Sequence, residues 1–139
     1  MALSSSGTVQ NTKKLGKVTY GTRSAATAEQ AISTSGTIMH NNEPEVPFDC
    51  YVIAHYHLLL ESTSSRAAVY WILSGAYIQG NESWNGSVSS RHSFDKTFIF
   101  EAAKGQTIQL TMTDSNGVGI KSLGNNTSWN RYSFLFIPK

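Results

Sequence analysis

The sequence predicts an all-β domain, a sandwich or jelly roll of about eight to ten antiparallel strands. Three observations predict it. From residue 38 onward, short runs of branched and aromatic residues recur between clusters of turn residues. Residues 106–113 (QTIQLTMT) alternate with a period of two: Ile108, Leu110 and Met112 face one way, Thr107, Gln109, Thr111 and Thr113 the other. No segment carries the pattern of a long helix, and no internal repeat is present.

The elements follow in order. Residues 1–37 are rich in Ser, Thr, Ala and Gly and read as an N-terminal arm or lead-in, with the β domain at 38–139. Within the arm, Lys17 to Tyr20 reads as a short strand and Ala25 to Ile32 as about two helical turns, because Ala, Glu and Gln favour helix. Thr37 to His40 is a short strand, and Asn41 to Pro47 a turn. Phe48 to Leu60 is a long strand, and Glu61 to Arg66 a polar turn. Ala67 to Leu73 is the next strand; Ala76 to Gln79 continues it after Ser74-Gly75, and Gly80-Asn81 turns the chain. Glu82 to Gly86 reads as a loop carrying Trp84. Ser87 to Phe94 alternates weakly, and Lys96 to Glu101 is a strand. A turn at Ala102 to Gly105 leads into the alternating strand. Asp114 to Gly119 turns, Leu123 to Trp129 is an Asn-rich loop, and Arg131 to Ile137 is the last strand, stopped by Pro138.

The long strand is apolar on both sides. Phe48, Cys50, Val52, Ala54, Tyr56, Leu58 and Leu60 share one face; Asp49, Tyr51, Ile53, His55, His57 and Leu59 share the other. A strand apolar on both faces is buried on both. With no crossover helix to cover it, the second face has to meet another sheet or another subunit.

Composition narrows function. Only 14% of the 139 residues are charged, against roughly 25% in an average domain. The net charge is +2, and the densest basic stretch is Lys13, Lys14 and Lys17. Nucleic-acid binders need clustered Lys and Arg, so no nucleic-acid partner is expected. No apolar run approaches the roughly 20 residues of a spanning helix, so membrane insertion is not expected. The N-terminus lacks a basic start followed by an apolar core, and no secretory signal is read there. The single cysteine, Cys50, excludes an internal disulfide and reads as a small buried hydrophobe.

No catalytic constellation is legible. There is no Gly-x-Ser-x-Gly elbow, and no phosphate-cradling Gly-rich motif. Glu43 and Glu45 share a loop rather than a rigid element, which does not suit a glycosidase pair. The chain is therefore expected to be non-enzymatic and to need no cofactor. His55 and His57 lie two apart and share a strand face, a spacing that can chelate a metal. Imidazoles hydrogen-bonded to neighbours are the stronger reading, and no metal is expected.

For recognition, Trp84 and Asn85 (in NESWNGS) and Trp129 (in NNTSWNRY) are loop candidates for a sugar platform. An indole stacks on an apolar sugar face while amides bond the hydroxyls. The alternative is that each Trp anchors a loop on the sandwich rim. Arg91, His92 and Arg131 supply donors for carboxylate groups. Trp71 sits mid-strand and reads as core. Sequons at Asn81, Asn85, Asn125 and Asn126 read as ordinary loop positions.

Phe48 to Lys139 resembles the trimeric jelly rolls of the tumour necrosis factor and complement-globular-head superfamily. The resemblance rests on the long strand FDCYVIAHYHLLL, the strand–turn–strand unit TFIFEAAKGQTIQLTMT and the closing strand YSFLFIPK. It implies a homotrimer, with Tyr51, His55, His57, Tyr132, Phe134 and Phe136 at the subunit interface. The count of large aromatics agrees: Tyr51, Tyr56, Phe134 and Phe136 are more than one thin sandwich readily hides, and an interface stabilises by roughly 25 cal/mol per Å² of apolar surface removed from water. Members include signalling ligands, recognition heads, bacterial lectins and phage knobs. The Ser/Thr/Asn/Gly-rich composition fits best a knob or spike of a virion, touching a host glycan or protein. The alternatives are a lectin of the bacterial cytoplasm or cell surface, and a secreted recognition head.

Overall fold

The computed structural model describes residues 19–24, 29–39, 45–62, 64–74, 78–85, 90–123 and 130–139. Among them there are ten strands and no helix. They are β1 (Thr19–Ser24), β2 (Gln30–Ile32), β3 (Thr37–Ile38), β4 (Cys50–Ser62), β5 (Ala67–Ser74), β6 (Ile78–Trp84), β7 (Ser90–Ala102), β8 (Gln109–Asp114), β9 (Ile120–Ser122) and β10 (Arg131–Pro138).

Branched and aromatic residues fill the two long strands, β4 and β7. They pair antiparallel along their whole length, from Cys50 opposite Ala102 to Ser62 opposite Ser90. The other pairings nest around this one: β1 with β10, β3 with β8, β5 with β6. Nested antiparallel pairing rolled into two sheets is the jelly-roll topology. The large sheet runs β1-β10-β4-β9-β2 with β7 on the other side of β4; the small sheet runs β3-β8-β5-β6. The chain is thus an all-β jelly roll.

The core lies between the sheets. The large sheet contributes Val52, Ala54, Tyr56, Leu58 and Leu60; the small sheet contributes Val69, Trp71, Leu73, Leu110 and Met112. At its centre Tyr56 meets Phe134 edge-on at 5.7 Å and Phe98 at 6.1 Å, while Trp71 packs on Phe98 at 5.4 Å and Phe94 at 5.7 Å. Such pairs add about 0.5–1.5 kcal/mol beyond area burial. Cys50 is buried here, which pushes its thiol above the usual range, with Asp49 adding to the effect.

β9 and β10 lie on one line along the same side of β4. β9 pairs with Leu60 to Ser62 and β10 with Cys50 to His57. The gap at Leu59 is closed from both sides: Leu123 N–H donates to the Leu59 carbonyl at 2.9 Å, and Leu59 N–H donates to Asn130 Oδ1 at 3.0 Å. The ladder therefore continues from β9 to β10, with the buried Asn130 amide standing in for a backbone carbonyl.

Several expectations are corrected. Gln30–Ile32 is a strand paired with β9, not a helical turn, and Ile32 reaches the core. β1 and β2 belong to the large sheet, so the strands of the roll begin no later than Thr19 rather than at 38. Ile78–Trp84 is the antiparallel partner of β5, not its continuation, and Gly80-Asn81 lies within the strand. Gly80 is needed there because a Cβ would sit 2.5 Å from Trp71 Cζ2. The segments around Phe94 and Phe98 form one strand, β7.

Candidate interaction surface

The two faces of β4 separate as its alternation predicts. Val52, Ala54, Tyr56, Leu58 and Leu60 point into the sandwich; Tyr51, Ile53, His55, His57 and Leu59 point out from the large sheet. Register extends this outward face across three strands, in bands. Ile137, Tyr51 and Glu101 form the first, and Leu135, Ile53 and Ile99 the second. Ser133, His55 and Thr97 form the third; Arg131, His57 and Asp95 the fourth. The second band is wholly apolar, yet Ile99 is 71% exposed. In the band beside it Tyr51 is 44% exposed, under the Lys139 ammonium.

Most charges on this face already have partners within the chain. Asp95 bridges two imidazoles: His55 Nε2 lies 2.6 Å from Oδ1 and His57 Nδ1 3.0 Å from Oδ2. These bonds hold the Asp95 carboxyl below its ordinary value. Glu61 is held low chiefly by Arg91 at 3.1 Å, with Lys121 assisting against the opposing effect of burial. Lys121 also pairs with Glu29, and Lys139 with Glu101. Among the described residues no group of three or more His, Cys, Asp and Glu is arranged to hold a metal ion.

The interface residues expected from sequence divide. Tyr51, His55 and His57 lie on the outward face. Tyr132, Phe134 and Phe136 do not: each is buried inside the chain, in register with Tyr56, Ala54 and Val52. The reason is volume. The space between the sheets takes the three large aromatics of β10 and leaves its smaller Ser133, Leu135 and Ile137 outside. Tyr56 likewise points inward. Most of the aromatic surplus is hidden within one chain, and the outward face carries one aliphatic band, Leu135, Ile53 and Ile99, among polar and charged ones.

Among the described loop candidates, Trp84 and His92 are in contact, while Arg91 and Arg131 lie on the large sheet. Trp84 ends β6, and its ring lies flat on His92 at 4.8 Å with 8° between planes. Its Nε1 is buried. One ring face is thus covered, as for a rim anchor. His92 Nε2 lies 3.1 Å from Glu82 Oε2, and Lys96 pairs with the other Glu82 oxygen while lying over the Trp71 and Phe94 rings. Burial pushes the Glu82 carboxyl up, but Lys96 and His92 together overcome it and hold it low. This charged cluster fills the gap between β6 and β7, and sequence reasoning missed Glu82 and Lys96 because neither stands in a motif. Asn85 is exposed beyond Trp84. Arg91 lies on the outward face, bonded to Glu61, and Arg131 is exposed opposite His57. Trp129, Asn125 and Asn126 lie outside the described residues, as does His40.

The two sheets, linked through nested antiparallel strand pairs, form a jelly roll. Comparison with solved structures agrees. The fold is similar to Eiger TNF from S. frugiperda, with a TM-score of 0.57, 7% identity, and coverage of 88% of this chain and 92% of that one. A chain of infectious bursal disease virus (Gx strain) matches at TM-score 0.48 and 7% identity, over 86% of this chain but 36% of its own length. A Bacillus endospore appendage pilus matches at TM-score 0.46 and 7% identity, over 88% and 89% of the two chains. Neither a protein-family profile nor a curated protein matches the sequence.

Proposed function

We propose that the chain is a non-enzymatic head domain that assembles as a homotrimer through the outward face of its large sheet. In this reading it forms the knob of a viral or phage fibre, needle or spike, on the virion, where it caps the tip or touches a host glycan or protein. The observation that carries the proposal is the apolar band of Leu135, Ile53 and Ile99, with Ile99 71% exposed at its edge. Covering one Ile side chain is worth about 1.5–3 kcal/mol. The occupant is a second copy because Asp95, Glu61 and Glu101 are already bonded within the chain. A cover needs to be apolar and locally balanced in charge, as this face itself is. The fold likeness to a tumour necrosis factor supports the same reading, and the sparse charge supports a binding role without nucleic acid or membrane insertion.

Sedimentation of the full chain at micromolar concentration is expected to give the mass of three chains. Ile99→Asp is expected to give a folded monomer, because Ile99 contributes little to the chain's own core. A monomeric parent chain would overturn the proposal. Phe136→Asp is expected to unfold the chain instead, since Phe136 is buried between the sheets. The second reading is a lectin using Trp84 or Trp129, and the flat stack of the Trp84 ring on His92 disfavours the first of these two. Strong monosaccharide binding on a glycan array, lost in Trp84→Ala, would favour it over the knob.

A further inference from the structure

The centre of the proposed assembly face is a titratable cluster. His55 and His57 project from β4 toward Asp95 of β7, and register places Arg131 of β10 directly beside His57. The other charged groups on this face lie farther along the strands and are matched in sign. Toward one end Glu61 meets Arg91 and Lys121, with Lys121 also on Glu29; toward the other Glu101 meets Lys139 near Tyr51. With both imidazoles neutral, Asp95 and Arg131 leave the central band balanced. Imidazole is the side chain whose ordinary titration falls between pH 5 and 8.

We propose that the His55–Asp95–His57 cluster is an acid-triggered release for the assembly, dissociating the copies while leaving each chain folded. This rests on the reading that copies pack through this face. Within a chain, protonation turns each histidine–aspartate hydrogen bond into an ion pair, so the isolated domain does not suffer. Between copies, each face gains two positive charges with no new counter-charge to meet them. The repulsion is felt where water is excluded by the neighbouring Leu135, Ile53 and Ile99 band, and there screening is weakest. The two histidine bonds hold Asp95 below its ordinary value, so it remains a carboxylate over the pH range in which imidazole side chains ordinarily titrate.

Sedimentation of the full chain at pH 7.5 and pH 5.5, with tryptophan fluorescence to follow folding, tests this. The expected result is a trimer at pH 7.5 whose midpoint concentration for dissociation rises at least tenfold at pH 5.5, with the fluorescence of a folded chain at both. The double variant His55→Gln/His57→Gln is expected to lose that shift. As a second measure, the association constant of the parent chain between pH 7.5 and 5.5 is expected to show proton uptake on dissociation, and each single His→Gln variant to lower it. A trimer equally tight at both pH values overturns the inference alone. So does an undiminished shift in the double variant, or undiminished proton uptake in both single variants. A monomer at pH 7.5 overturns the assembly reading and the inference with it.

Discussion

Gly80 and Trp71 fit each other at the level of single atoms. The indole lies over the backbone of the neighbouring strand, where a Cβ would come 2.5 Å from Cζ2 and 2.9 Å from Cε2. Gly80→Ala is expected to cost about 1–3 kcal/mol by overpacking, measured as a fall in the urea midpoint. Gly105 makes a useful contrast. It has φ +85 and nothing near its missing Cβ, so Gly105→Ala is expected to cost only the left-handed backbone strain of about 1–2 kcal/mol. Sequence alone read Gly80 as a turn residue, because Gly-Asn is a common turn pair and close packing across strands leaves no local mark. The same limit explains β10. Both of its faces are apolar, Tyr132, Phe134 and Phe136 on one and Leu135 and Ile137 on the other. The pattern does not choose between them; the volume available between the sheets does. Tyr51, His55 and His57 were legible as outward because their opposite face, from Cys50 to Leu60, is without a polar residue other than the Tyr56 hydroxyl.

Among the elements, β4 was readable from its long run of aromatic and branched residues, and β8 from its unbroken alternation. β7 was read in two pieces because two of its inward positions are His92 and Lys96, which face Glu82 across the gap between the sheets. An inward charge on a long edge strand discourages pairing with foreign strands, which gives these residues a reason that hydrophobic pattern does not reveal. β9 was missed because three residues, Ile-Lys-Ser, carry no period. It exists because it shares a line with β10, and that line depends on Asn130. Asn130→Ala removes the acceptor for Leu59 N–H and is expected to cost about 1–3 kcal/mol. Amide exchange at Leu59 is the direct readout and is expected to accelerate, while exchange at Ala54, deep in the β4–β10 ladder, stays slow.

For the whole molecule, acid stability follows from three carboxyls. Asp95, Glu61 and Glu82 all titrate below their ordinary values in the folded chain, held by histidine, arginine and lysine partners. Their unfolded values lie near pH 4. As pH falls through that range the unfolded chain takes up protons more readily than the folded one. The stability these groups contribute is therefore present above about pH 5 and is lost as pH falls below it. Urea midpoints of the monomeric Ile99→Asp variant are expected to stay level from pH 7 to 5 and to drop below that, separating loss of fold from loss of assembly.

Sister copies are expected to cover the outward face of the large sheet. Hydroxyl-radical footprinting of the full chain reads this residue by residue. In the assembled state Tyr51 and Ile99 are expected to be protected, although both are exposed in the single chain, and to become reactive on dilution into monomers. Ile72, exposed on the outer face of the small sheet, is expected to react equally at both concentrations. Tyr51 and Ile99 reacting as freely as their single-chain exposure allows, at every concentration, would contradict the account.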